Sequence, residues 1–158
     1  MVSSMTARCT CSESRAIYQP RVASWTQFET PQIPDRMSTL AVVEDNADNR
    51  LLIQAILGDQ YDLVEYENGA DALTGIARSR PDLVLLDISL PGMDGNEILQ
   101  RIRRDKTLRD LPVIALTAHA MSGDREKFLA AGFDDYITKP IVDESHLFAA
   151  IQRLLKKP

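Results

Sequence analysis

Four candidate strands in this 158-residue chain, three of them apolar runs, end on a side chain that can do chemistry. Leu83-Val84-Leu85-Leu86 ends on Asp87. Leu40-Ala41-Val42-Val43 ends on Glu44 and Asp45. Pro112-Val113-Ile114-Ala115-Leu116 ends on Thr117, followed by Ala118, and Asp135-Tyr136-Ile137-Thr138 ends on Lys139 and Pro140. A short unbroken run of branched apolar residues reads as a strand buried on both faces of a parallel sheet. In such a sheet all four ends fall on the carboxyl edge, where open α/β folds hold their ligands. Three carboxylates, a hydroxyl and an ammonium then converge. Clustered carboxylates repel unless a counter-charge joins them. A hard divalent cation with oxygen ligands answers that need, and Mg²⁺ typically takes one or two carboxylates together with phosphate and water. Thr117 and Lys139 can hold the oxygens of a phosphoryl group.

The elements that must position these residues alternate. Strands are expected at 40–44, 62–66, 83–87, 112–117 and 135–138. Helices are expected near 47–57, 69–78, 95–104, 122–131 and 144–156. Leu51, Leu52, Ala55 and Ile56 lie at helical spacing in the first helix, Ile98, Leu99 and Ile102 in the third. Leu147, Phe148, Ile151, Leu154 and Leu155 line one face of the fifth. Five βα units in succession imply an α/β fold, a parallel sheet with helices on both faces.

Composition narrows the class. The chain is 44% apolar and 26% charged, enough for a core, with a formal net charge of -5. Residues 1–36 hold four basic and three acidic side chains, so residues 37–158 hold fourteen and twenty, a difference of -6. That balance argues against general binding to nucleic acid or a membrane surface. No apolar stretch approaches the ~20 residues of a membrane span, and no apolar signal core opens the chain. The two cysteines, Cys9 and Cys11, lack a further Cys or nearby His to complete a metal site. Their absence from the rest of the chain fits a cytoplasmic location. Residues 1–36 show no periodicity and read as a dispensable disordered extension. Met37 reads as the true start, with 37–158 as the folded domain.

Glu44-Asp45, Asp87, Thr117 and Lys139-Pro140, with the loop Pro91-Gly92-Met93-Asp94-Gly95, resemble in order and spacing the receiver domain of two-component response regulators. The resemblance runs from about Leu40 to the C-terminus. It implies a five-stranded flavodoxin-like sheet of order 2-1-3-4-5. It implies that Asp87 accepts phosphate from a histidine kinase or a histidine phosphotransfer protein. Mg²⁺ would be held by Glu44, Asp45, Asp87 and the backbone carbonyl of Ser89, with either Glu44 or Asp45 acting through water. Thr117, Ala118 and Lys139 would bind the phosphoryl oxygens, and the Lys139-Pro140 peptide would be cis. Tyr136 falls at the family's switch aromatic, its ring turning inward as Thr117 moves; the alternative is a fixed, half-buried tyrosine. The face of helix 4, strand 5 and helix 5 would signal to a downstream protein, from a monomer or weak dimer. The protein would be a stoichiometric phosphoacceptor that dephosphorylates itself, not a turnover enzyme.

Ser89 and His119, two residues beyond Asp87 and Thr117, should flank the acyl phosphate and set its lifetime. Neither is a carboxylate or an amide, so a long-lived phosphorylated state is expected. Asp48 and Asn49 read as helix cap and solvated face, Asp134-Asp135 as a turn charge pair, Arg101, Arg103 and Arg104 as a solvent face of the third helix, and His146 as a surface residue. Two rivals fit less well. An aspartyl phosphatase or phosphotransferase would need an acid at 89. A nucleotide or flavin module would want glycines after the first strand, where this chain has Asp45-Asn46-Ala47-Asp48-Asn49. Because the chain ends at the fifth helix, its output is expected to be its own surface.

Overall fold

The computed structural model of the protein describes residues 37–118 and 124–156. The extension 1–36 with its cysteines, His119, the expected first turn of the fourth helix and the last two residues lie outside the described residues. Ten elements alternate: β1 (Thr39–Val43), α1 (Ala47–Leu57), β2 (Asp62–Tyr66), α2 (Gly69–Ser79), β3 (Leu83–Asp87), α3 (Gly95–Arg104), β4 (Val113–Thr117), α4 (Asp124–Ala131), β5 (Asp135–Thr138) and α5 (Glu144–Leu155). The five strands form one parallel sheet in the order β2-β1-β3-β4-β5.

Strand parity divides the core. Successive side chains on a strand point to opposite faces, so Leu40, Val42, Leu83, Leu85, Ile114, Leu116 and Ile137 pack under α1 and α5. Ala41, Val43, Val84, Leu86, Val113 and Ala115 pack under α2 and α3 on the other face, with Phe128 and Tyr136 at its border. β3 and β4 are buried along their whole length, as their unbroken apolar runs require. The same parity carries Glu44, Asp87 and Lys139 toward the α1–α5 face, and Thr117 and Tyr136 toward the other.

Two expectations about packing need correction. Leu51, Leu52 and Ala55 do not face the sheet; Leu51 is 69% exposed, and Ile53 and Leu57 are the buried residues of α1. α1 carries two apolar stripes at helical spacing. The one that wins also brings Asn49, four residues before Ile53, over Glu44, where it bonds. The helix cap is not Asp48 but Asn46, whose side chain accepts from the Asp48 and Asn49 amides. The strands also shift slightly. β1 runs 39–43, so Glu44 stands just past its end, and β4 starts at Val113, Pro112 having no N–H for the ladder.

Gly95 shows how tightly the loop after Asp87 must close. A β-carbon there would lie 2.5 Å from the Asp87 carbonyl oxygen and 2.8 Å from the Ile88 Cα. Only glycine lets α3 start this close to the strand end. Asp94 caps the helix by accepting from the Asn96 amide, and Gly92 takes the left-handed conformation at φ +81°.

Candidate functional site

The strand ends meet as parity requires. Lys139 Nζ lies 2.7 Å from Asp87 Oδ2 and 3.0 Å from Glu44 Oε2. The Asp87 and Glu44 side chains are 3% and 1% exposed, so this is a buried pairing. The Ser89 amide donates to Asp87 Oδ1 at 2.9 Å, holding the carboxylate in a tight turn. The Asn49 side chain donates to Glu44 Oε1 at 2.8 Å. Burial pulls the Lys139 ammonium downward, but its hydrogen bonds to Asp87 and Glu44 and their charges outweigh this and hold it above the ordinary lysine range.

Asp45 completes the cluster from the solvent side. It is exposed, and its carboxylate, with those of Glu44 and Asp87, presents oxygens within 4.8 Å of one another. When all are ionised, three carboxylates against one ammonium leave a formal charge of -2. A divalent cation cancels that charge. An all-oxygen donor set with no His or Cys suits Mg²⁺ rather than a softer metal, and the exposed Asp45 leaves room for the waters that Mg²⁺ keeps. The residues present therefore fit the ion that the sequence implied.

Thr117 is buried at the end of β4, beside β5, and its carbonyl accepts from the Lys139 amide at 2.7 Å. Ala118 and Ser89 are exposed at the same edge. The Lys139-Pro140 peptide is cis, as expected. Tyr136 is half-buried, pairs in register with the small Ala115, and stacks on Phe128 of α4 with centroids 5.8 Å apart. The ring thus rests against α4 on the face that Thr117 shares.

Three residues read as surface charge turn out to be structural. Arg103 is not on the solvent face. It donates to the carbonyls of Gly132, Arg109 and Leu111 and pairs with Asp134 at 2.8 Å. Its position four residues after the buried Leu99 was the available signal. Asp134 also accepts from the Val113 amide at 3.0 Å, and Asp135 is buried and paired with Arg153 of α5. Asn49 and Arg50 were missed as site neighbours. Arg50 donates to the carbonyls of both Glu44 and Asp45, each at 2.9 Å. His146 is exposed, as expected.

Residues 40–152 match the family model described as the response regulator receiver domain. The sensor protein GacS of Pseudomonas syringae pv. syringae is 39% identical over 115 residues, covering 70% of this chain and 13% of that protein. The polar-differentiation response regulator DivK of Brucella anthropi is 40% identical over 104 residues, covering 65% of this chain and 85% of that protein. The chain thus spans only a small part of some relatives and most of others. Among solved structures, the receiver domain of sensor histidine kinase PA1611 from Pseudomonas aeruginosa PAO1 is similar at 36% identity with a TM-score of 0.70. The match covers 77% of this chain and 100% of that one, and that structure has a magnesium ion coordinated in its active site cleft. Among the described residues no helix is long and apolar enough to cross a membrane.

Proposed function

This chain belongs to the response regulator receiver family of two-component signalling, and on that premise we propose that it is a phosphorylation switch whose acceptor is Asp87. The observation that carries the reading is the buried Asp87 carboxylate, held by Lys139 and the Ser89 amide beside two further acids. A lone pair on an Asp87 oxygen forms the O–P bond as the bond between phosphorus and a donor imidazole nitrogen breaks. The bonding pair stays on that nitrogen. The donor is the histidine of a kinase or of a phosphotransfer protein, the class of partner that the sensor kinases among its relatives suggest.

Glu44, Asp45 and Asp87, with the Ser89 carbonyl, would hold Mg²⁺. When bound, the ion supplies charge neutralisation for the oxygens of the transferred group. The chain's own residues do the rest. Lys139 already ion-pairs Asp87 and is placed to follow charge onto the phosphoryl oxygens. Thr117 and the Ala118 backbone receive a second oxygen. Movement of Thr117 then biases the packing of Tyr136 against Phe128, an adjustment of a pre-existing equilibrium. The face of α4, β5 and α5 carries that change to a downstream protein. The switch is used once per phosphate and resets by hydrolysis, at a rate set by the side chains at 89 and 119.

The test is incubation of the full chain with Mg²⁺ and acetyl phosphate, followed by quantification of protein-bound phosphate. Wild type should take up one equivalent and Asp87→Asn none. Uptake by Asp87→Asn at the wild-type level would sink the assignment. Ser89→Asn with His119→Glu should hydrolyse the phosphate faster, and equal decay would leave these two positions without a role in its lifetime.

A further inference from the structure

Glu44 and Asp45 are consecutive, and consecutive side chains on a strand point to opposite faces. They can serve one ion only if the chain leaves the strand conformation between them, and β1 does end at Val43. A turn there strips two carbonyls of ladder partners, one on buried Glu44 and one on exposed Asp45, and carbonyls off the ladder are met by side-chain or water donors. Arg50 provides them. Its Nη1 donates to the carbonyl of Glu44 and to that of Asp45, both at 2.9 Å. Its Nη2 meets Glu67 Oε1 at 2.7 Å and its Nε lies 3.6 Å from Glu65 Oε2, so the guanidinium is fixed from the β2 side as well. The Arg50 side chain is only 13% exposed, unusual for a cation on the surface of a helix. One planar group thus grips both metal-binding residues by their backbones.

We propose that Arg50 is a positioning residue for the Mg²⁺ site, holding the turn after β1 in the shape that lets Glu44 and Asp45 converge with Asp87. The proposal rests on the metal reading given above. Arg50 touches none of the three carboxylates of the cluster, so it acts through backbone geometry. Lysine cannot replace it fully, since a point-like ammonium lacks the rigid fork that satisfies two carbonyls and a carboxylate together. The Glu67 contact is a tether, not the grip, because Glu67 is 71% exposed and removing it leaves both carbonyl bonds in place.

The experiment is calorimetric titration of Mg²⁺ into the full-length wild type, Arg50→Met, Arg50→Lys and Glu67→Gln, with thermal melts and amide hydrogen exchange of the metal-free proteins. Arg50→Met should bind Mg²⁺ roughly tenfold more weakly, the usual scale for losing a group that orients metal ligands. Arg50→Lys should fall between it and wild type, and Glu67→Gln should stay within about twofold of wild type, its loss being an exposed ion pair. Amides at Asp45 and Asn46 should exchange faster in Arg50→Met without metal. A wild-type Kd in a folded Arg50→Met would overturn the proposal, as would an equal loss in Glu67→Gln. If Arg50→Met does not fold, Arg50→Lys decides: a wild-type Kd there overturns it. A wild-type chain that takes up no Mg²⁺ would instead sink the metal reading itself, and this proposal with it.

Discussion

At the amino edge of the sheet, Asp82, Asp134 and Asp135 each have a partner of their own: the Thr39 amide for Asp82, Arg103 and the Val113 amide for Asp134, and Arg153 for Asp135. At the carboxyl edge, Glu44 and Asp87 share the ammonium of Lys139, and the carboxylate of Asp45 lies beside theirs. The amino edge has a cleft of about 680 Å³, lined by Arg103, Arg109, Asp82, Asp110 and Asp134. Its charges are spent on one another and on backbone groups. What separates the two sets of acids is the balance of charge around them, not the presence of a cleft.

Exchanging one aspartate at each edge should give opposite outcomes. Asp87→Asn should abolish phosphate uptake and leave the fold intact. Asp134→Asn should keep phosphate uptake but lower stability by ~2–3 kcal/mol, the cost of weakening a charged hydrogen bond and leaving Arg103 without its counter-ion. Acetyl phosphate labelling and urea unfolding of both variants measure this, and the contrast breaks if Asp134→Asn loses phosphate uptake while folded.

Gly95→Ala tests how closely the active edge is closed. The added carbon would sit 2.5 Å from the Asp87 carbonyl oxygen, so β3 or α3 must move. Overpacking of this kind costs ~1–3 kcal/mol, and it should also slow phosphorylation because the Asp87 backbone shifts. Chemical denaturation together with initial labelling rates would show both effects, and a wild-type labelling rate would uncouple the glycine from the site.

Mg²⁺ should sharpen the comparison from the side of charge. At ten times its Kd it should raise stability by ~1.4 kcal/mol. Asp45→Asn should remove that response, and without metal it should be more stable than wild type by ~0.5 kcal/mol, the scale of an exposed charge interaction. Melting curves with and without millimolar Mg²⁺ are sufficient. Equal Mg²⁺ responses would place the ion elsewhere.

The smallest effect concerns pH. Asp87 and Glu44 hold Lys139 above the ordinary lysine range despite its burial. The folded state therefore favours the proton. That contribution is complete below the unfolded value of ~10.4 and is lost as pH rises through the higher folded value. Urea midpoints measured from neutral pH to above this range should fall more steeply for wild type than for Lys139→Met. Parallel curves would mean the pair contributes no alkaline dependence.

The unbroken runs at 83–87 and 112–117 could be read directly, because strands buried on both faces need apolar residues at every position. The chemical residues could be read from where those runs stop. α1 could not, because its sequence carries two apolar stripes, and only docking on the sheet chose Ile53 and Leu57 over Leu51 and Leu52. Arg103, Asp134 and Asp135 looked like solvated charge because their partners lie on other elements or are backbone groups, which side-chain type does not reveal.

The sequence by itself determined the element order and the parallel sheet and singled out Glu44, Asp45, Asp87, Thr117 and Lys139 as candidates, since local apolar pattern and residue chemistry specify these without reference to distant parts of the chain. Only the tertiary structure decided how two adjacent acids face one site. There Arg50 reaches back from α1 to the Glu44 and Asp45 carbonyls while its other nitrogens meet Glu65 and Glu67, an arrangement of groups up to 23 positions apart in the sequence that exists only once β1, β2 and α1 are packed.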